Sequence, residues 1–134
     1  MKAYMAYKFK DTDPEILKRW LTELDKCIKS AGFDTFIFFR DMQDWGKIKM
    51  PLKEVITKAR ECMIKCDLII AETSETANGV YWEVGFFQGQ KKPVIVIAKE
   101  GSNNAFLANS TEHNLTYTDL NDLKSKLLEV KKII

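Results

Sequence analysis

Between Asp67 and Ala98 two short apolar runs, Leu68 to Ala71 and Val94 to Ala98, bracket a polar loop, a glycine and a helix-compatible segment. Both runs are rich in β-branched residues and are too short to be helices of their own. Two strands joined through a helix pair in parallel, and the crossover is right-handed, so the helix covers one face of a sheet. The polar loop is Glu72 to Asn78, followed by Gly79 and a segment carrying Trp82, Val84, Phe86 and Phe87 that ends at Lys91-Lys92-Pro93. Glu83 lies one turn inside that helix, just past the C-terminal edge of the first strand. Open α/β sheets bind their ligands at that edge. Asp67 opens the strand at the far end, so capping or a loop hydrogen bond is its expected role.

The remaining chain repeats the pattern. Lys2 to Phe9 is apolar on both phases at its start and predicts a first strand buried on both faces. Asp11, Thr12 and Asp13 offer a helix cap, with Pro14 at the first helical position and Gly32 as the stop. Between them Ile16, Leu17, Trp20, Leu21, Leu24, Cys27 and Ile28 recur at helical spacing. Phe33 to Phe39 predicts strand two, Arg40 to Met50 a loop, and Pro51 onward a helix through Val55, Ile56, Ala59, Met63 and Ile64. After strand four come a short helix near Ala105 to Asn109 and a fifth strand at Leu115 and Tyr117. A last helix runs through Leu120, Leu123, Leu127, Leu128 and Val130, capped by Thr118 or Asp119. The prediction is one doubly wound, three-layer α/β domain over residues 1–134, flavodoxin-like or Rossmann-like, with a five-stranded parallel sheet and four or five helices.

Several function classes fall away. A net charge of +2 with interspersed acids gives no basic stripe for a nucleic-acid polymer. No run approaches a membrane span. Cys27, Cys62 and Cys66 with the single His113 form no metal-ligand pattern, so no metal is expected, and free thiols suit a cytoplasmic setting. The loop after strand one has no glycine-rich phosphate cradle and no Walker lysine, so no cofactor is expected. One histidine and no serine elbow leave no hydrolase triad. Carboxylates are the remaining candidates: Glu83 first, then Glu72 and Glu75 in the loop before it.

Asp67, Gly79, Tyr81 or Trp82, Glu83, Val84, Gly85 and the strand after Pro93 together resemble the signature of the nucleoside 2-deoxyribosyltransferase superfamily, which includes the 2′-deoxynucleoside 5′-phosphate N-hydrolases. Tyr4-Met5-Ala6-Tyr7 resembles the first-strand signature of that family, and Asn104-Ala105-Phe106 resembles its turn that one subunit lends to its neighbour. The resemblance implies cleavage of the N-glycosidic bond of a nucleoside or its 5′-monophosphate, with transfer to water or another base. It makes Glu83 the nucleophile, and Tyr7, Gly79, Tyr81 and Asn104 substrate-binding residues. Lys8, Lys10 and Arg40 are candidate phosphate contacts, and Asp41 or Asp44 a candidate second acid. The last role arises because Ala59 stands where the family usually has a helix aspartate. A homo-oligomer is expected, built on the helix of Phe86 and Phe87. A nucleotide-sensing module without catalysis and a TIR-like NAD glycohydrolase remain as alternative readings of the same fold.

Overall fold

The computed structural model describes residues 1–134. Five strands, β1 (Lys2–Ala6), β2 (Asp34–Phe36), β3 (Leu68–Glu72), β4 (Val94–Lys99) and β5 (His113–Tyr117), form one all-parallel sheet in the order β2-β1-β3-β4-β5. The helices are α1 (Pro14–Ser30), α2 (Phe38–Asp41), α3 (Leu52–Ile64), α4 (Asn78–Gly89), α5 (Ala105–Ala108) and α6 (Leu120–Lys131), with a single 3-10 turn at Asp44–Gly46.

Period-two alternation in the central strands divides the core in two. Ala3, Met5, Leu68, Ile70, Ile95 and Ile97 face α1 and α6, where they meet Leu21, Leu24, Ile28, Leu123 and Leu127. Tyr4, Ala6, Ile69, Ala71, Val94 and Val96 face the other layer, against Met63, Val80, Val84 and Phe87. A parallel sheet covered on both faces needs apolar residues on both phases, which is the pattern of these strands. The chain leaves β1 for β2 on one side and reaches β3 on the other, so the sheet order reverses between β1 and β3 and a crevice opens at their C-terminal ends.

Caps set the boundaries. Asp13 Oδ1 accepts hydrogen bonds from the N–H groups of Glu15 (2.9 Å) and Ile16 (3.1 Å), and Gly32, at φ +95°, ends the turn after α1. Asp67 accepts from the Lys2 N–H at 2.7 Å, tying β1 to β3 at the end of the sheet away from the crevice. The three cysteines are free, and no helix is long and apolar enough to cross a membrane.

Three sequence expectations require correction. β1 ends at Ala6 rather than Phe9, and β2 covers only Asp34–Phe36 of the expected 33–39. The residues that follow β2 turn helical because the Asp41 carboxylate caps the Ile37 N–H at 2.9 Å, a local bond that competes with the sheet. Phe87 is fully buried and Phe86 partly so, which leaves other aromatics to face outward.

Asp25 joins α1 to the segment after β2. It accepts from the Thr35 hydroxyl and pairs with Arg40 Nη1 (3.1 Å) and Lys29 (3.0 Å). Burial would raise this carboxyl, but the hydrogen bonds and the two cations outweigh it and hold it below its ordinary 3.8. Asp25→Ala leaves the Arg40 guanidinium and the Thr35 hydroxyl short of a partner and should cost about 1–3 kcal/mol in urea unfolding at pH 7. Because the folded carboxyl titrates below the unfolded one, this contribution is full above pH 3.8 and disappears as pH falls further. The gap between variant and wild type should therefore close in acid.

Candidate functional site

The crevice of about 440 Å³ beside α4 is walled by the end of β1 and the residues after it, by Phe38 of α2 and the segment that follows, by α3 and by the start of α4. Most of its surface is apolar: Phe38, Met50, Leu52, Val55, Ile56, Ala59, Val80 and Trp82. Into this wall α4 directs Glu83, the one carboxylate lining the crevice. Burial is the main force on that group and pushes its pKa from 4.5 up to about 7, while a hydrogen bond with the Tyr4 side chain pulls the other way. Tyr4 is itself buried, and burial followed by the charge of Glu83 raises its phenol well above the ordinary value. The pair is a carboxyl poised near neutrality with a phenol beside it.

Tyr7 stands at the boundary between this crevice and a second cavity of about 560 Å³ on the α1 side, and lines both. Its hydroxyl oxygen accepts the Phe39 N–H at 3.1 Å, which fixes the ring. Gly79 also lines the crevice, and an added Cβ there would meet no atom within 4 Å. The other expected residues are scattered. Lys8 lies in the second cavity, 3.7 Å from Glu75, and Lys10 takes the place at the crevice edge. Arg40 lines neither cavity, because its guanidinium is held by Asp41 (2.8 Å), Asp25 and the Thr35 carbonyl (3.2 Å). Asp44 is exposed outside the crevice, and Asp41 is occupied by Arg40 and the Ile37 N–H, so neither lines the wall as a second acid. Asn104 donates to the Thr73 hydroxyl at 2.9 Å, and Tyr81 packs edge-on against Phe106 at 5.9 Å between centroids.

Glu72 and Glu75 also line the second cavity rather than the Glu83 crevice. Glu72 is buried and accepts from the Tyr117 hydroxyl and the Ser74 N–H, a structural arrangement across the sheet. Sequence reasoning missed Tyr4 and Gln43 as site residues. The signal for Tyr4 was present, since it shares a strand phase with Ala6 and that phase faces α4. Gln43 sits in a loop whose course no periodicity predicts. No cluster of three His, Cys, Asp or Glu side chains is arranged to hold a metal ion.

The model of one protein family, nucleoside 2-deoxyribosyltransferase, matches residues 7–121. No curated protein matches the sequence. Among solved structures, a Clostridium botulinum CMP N-glycosidase, BcmB, superposes with a TM-score of 0.66 at 17% identity, covering 95% of this chain and 97% of that one. A 2-deoxyribosyltransferase from Bacillus psychrosaccharolyticus gives 0.66 at 20% identity, covering 92% and 90%. The solution structure of BlsM gives 0.73 at 16%, covering 96% and 90%. At these identities the superpositions establish a shared fold.

Burying Glu83 has a measurable cost. Its folded pKa lies above the unfolded one, so the folded state binds the extra proton between pH 4.5 and about 7 and loses stability as pH rises through that interval. Glu83→Gln removes the ionisation. Its melting temperature should exceed that of wild type above pH 7, by the equivalent of at most ~3 kcal/mol, and the two should converge below pH 4.5. Thermal scans at pH 4 and pH 8 measure this directly.

Proposed function

The chain belongs to the nucleoside 2-deoxyribosyltransferase family, and we propose that it breaks the N-glycosidic bond of a nucleoside or nucleoside 5′-monophosphate with Glu83 as nucleophile. The observation that carries this reading is a single carboxylate in an apolar, aromatic-walled crevice at the sheet's switch point. As the base departs, positive charge builds on the anomeric carbon. A desolvated carboxylate beneath that carbon stabilises the charge and captures it as a glycosyl ester. Water or a second base then attacks the same carbon and frees Glu83. Trp82 and Tyr7 give flat apolar faces to a base, and Tyr4 holds the carboxylate in place through its hydrogen bond. A nucleophile must be ionised, so kcat/KM should rise with pH through about 7 and then level off.

Glu83→Gln keeps size and removes charge. Base release from deoxynucleosides and their monophosphates should fall at least roughly a hundredfold in the folded variant. Wild type treated with a 2-fluoro sugar analogue should carry a sugar adduct at Glu83 in peptide mass spectra. Undiminished turnover by Glu83→Gln overturns the assignment. Nucleotide binding without any base release assigns the chain to the sensing class.

The crevice continues outward into an aromatic surface, and the reading includes a second copy of the chain covering it. Phe106 is 77% exposed and Tyr81 40%, beside Trp82 at 37%, which itself lines the crevice. Aromatic rings exposed this far and in mutual contact mark interaction surfaces, and cyclic symmetry would place them against their own counterparts. Sedimentation at micromolar concentration should give a dimer or larger assembly, and Phe106→Ala should shift it toward monomer. A wild-type monomer under those conditions removes this part of the reading.

A further inference from the structure

We propose that the base this crevice releases is one that already carries a positive charge, an N-alkylated purine or a pyridinium, rather than a neutral base. The inference rests on the reading of Glu83 as nucleophile and names the substrate class for that site. Breaking the C1′–N bond leaves the electron pair on nitrogen. A neutral base then becomes an anion and needs a proton as it departs, whereas a cationic base takes the pair and leaves neutral.

Within one chain no buried group is placed to supply that proton. Besides Glu83, the crevice is lined by no Asp, Glu, His or Cys. Glu83 cannot serve both ends of the same step, because the nucleophile is ionised and the acid protonated. Burial raises the phenols of Tyr4 and Tyr7, and the charge of Glu83 raises them further, so both are weak proton donors. The Gln43 amide donates hydrogen bonds without giving up a proton. Lys10 is the one cation on the wall, and it lies exposed at the edge, where solvent screens it. The α3 face offers Leu52, Val55, Ile56 and Ala59 and nothing polar.

What the crevice does provide suits a flat cation. Tyr7 and Trp82 line the crevice with aromatic rings, a residue type that attracts positive charge, and the Glu83 carboxylate adds its own field. The Trp82 ring already carries a cation in the folded chain, with the Arg60 guanidinium 5.8 Å from its centroid. The step balances without an acid. A Glu83 oxygen bonds to C1′, the C1′–N bond breaks and its pair neutralises the base. Water then adds to C1′ with loss of a proton to solvent, and the carboxylate is restored.

A matched pair tests this: 2′-deoxyguanosine and N7-methyl-2′-deoxyguanosine share a sugar and differ by a methyl group and a charge. Nicotinamide riboside serves as a third arm that distinguishes a pyridinium from a purinium. Rates are taken above the Glu83→Gln background. Wild type should release the methylated base, nicotinamide, or both with kcat/KM at least about a hundredfold above that for 2′-deoxyguanosine. Ala59→Asp, which adds an acid to the wall, should raise turnover of the neutral nucleoside at least about tenfold and leave the charged substrates nearly unchanged. If that variant does not fold, the wild-type ratio still decides. Glu83-dependent release of guanine within tenfold of the charged substrates overturns the inference and leaves the cleavage reading standing. Loss of that guanine release in Lys10→Ala would identify the acid this crevice is inferred to lack. Release from none of the three substrates overturns the inference, and the cleavage reading falls with it only if the deoxynucleosides and monophosphates of the preceding test also yield no base.

Discussion

A half-buried carboxylate set against an apolar wall is the constraint to which the rest of this structure answers. Glu83 sits among apolar side chains that favour its neutral form, and the hydrogen bond with Tyr4 only partly offsets the loss of solvent. The cost is accepted at one position. Other buried or half-buried carboxylates are tied up: Asp25 by Thr35, Arg40 and Lys29, and Glu72 by Tyr117 and Ser74. Those arrangements neutralise or hydrogen-bond the charge, as interiors require. Glu83 has the weakest compensation, and a group with unspent reactivity is expected at a ligand site rather than in a stabilising network.

Much of the fold was legible because a parallel sheet covered on both sides writes itself into both phases of each strand. Leu68 to Ala71 and Val94 to Ala98 have no polar phase, and helical repeats between the strands left few ways to connect them. The family-model match over residues 7–121 and the shared fold of the solved structures bear out the recognised superfamily and the doubly wound architecture. Strand two was overextended because Phe38 and Phe39 read as sheet formers. The deciding interaction was Asp41 capping Ile37, a side-chain bond that propensity does not weigh.

The site was less legible than the fold, for a related reason. Glu83 could be read because its role depends on position along one βαβ unit. Arg40 could not be excluded as a ligand contact, since one of the partners that hold it, Asp25, lies on a different element and nothing in local spacing announces that pairing. Lys8 and Lys10 are two residues apart, yet one enters the α1-side cavity and the other the Glu83 crevice, because β1 ends early and the chain turns between them. Where the backbone leaves regular structure, alternation no longer says which way a side chain points.

Arg40 still bears on the crevice through geometry. Its guanidinium clamps Asp41 beside Asp25, and the same Asp41 carboxylate caps the Ile37 N–H that starts the α2 turn. That turn presents the Phe39 N–H to the Tyr7 hydroxyl, and Tyr7 is the wall shared by the two cavities. Four contacts thus connect α1 to the shape of the site without any of the charged groups entering it. Each is a directional bond in a half-buried setting, so slackness in one is passed to the next rather than lost to solvent. The order of the chain suits this, because β1 is too short to hold Tyr7 within the sheet. A ring at the end of a short strand needs an anchor from a neighbouring element, and an ion pair behind α2 supplies it from outside the apolar wall.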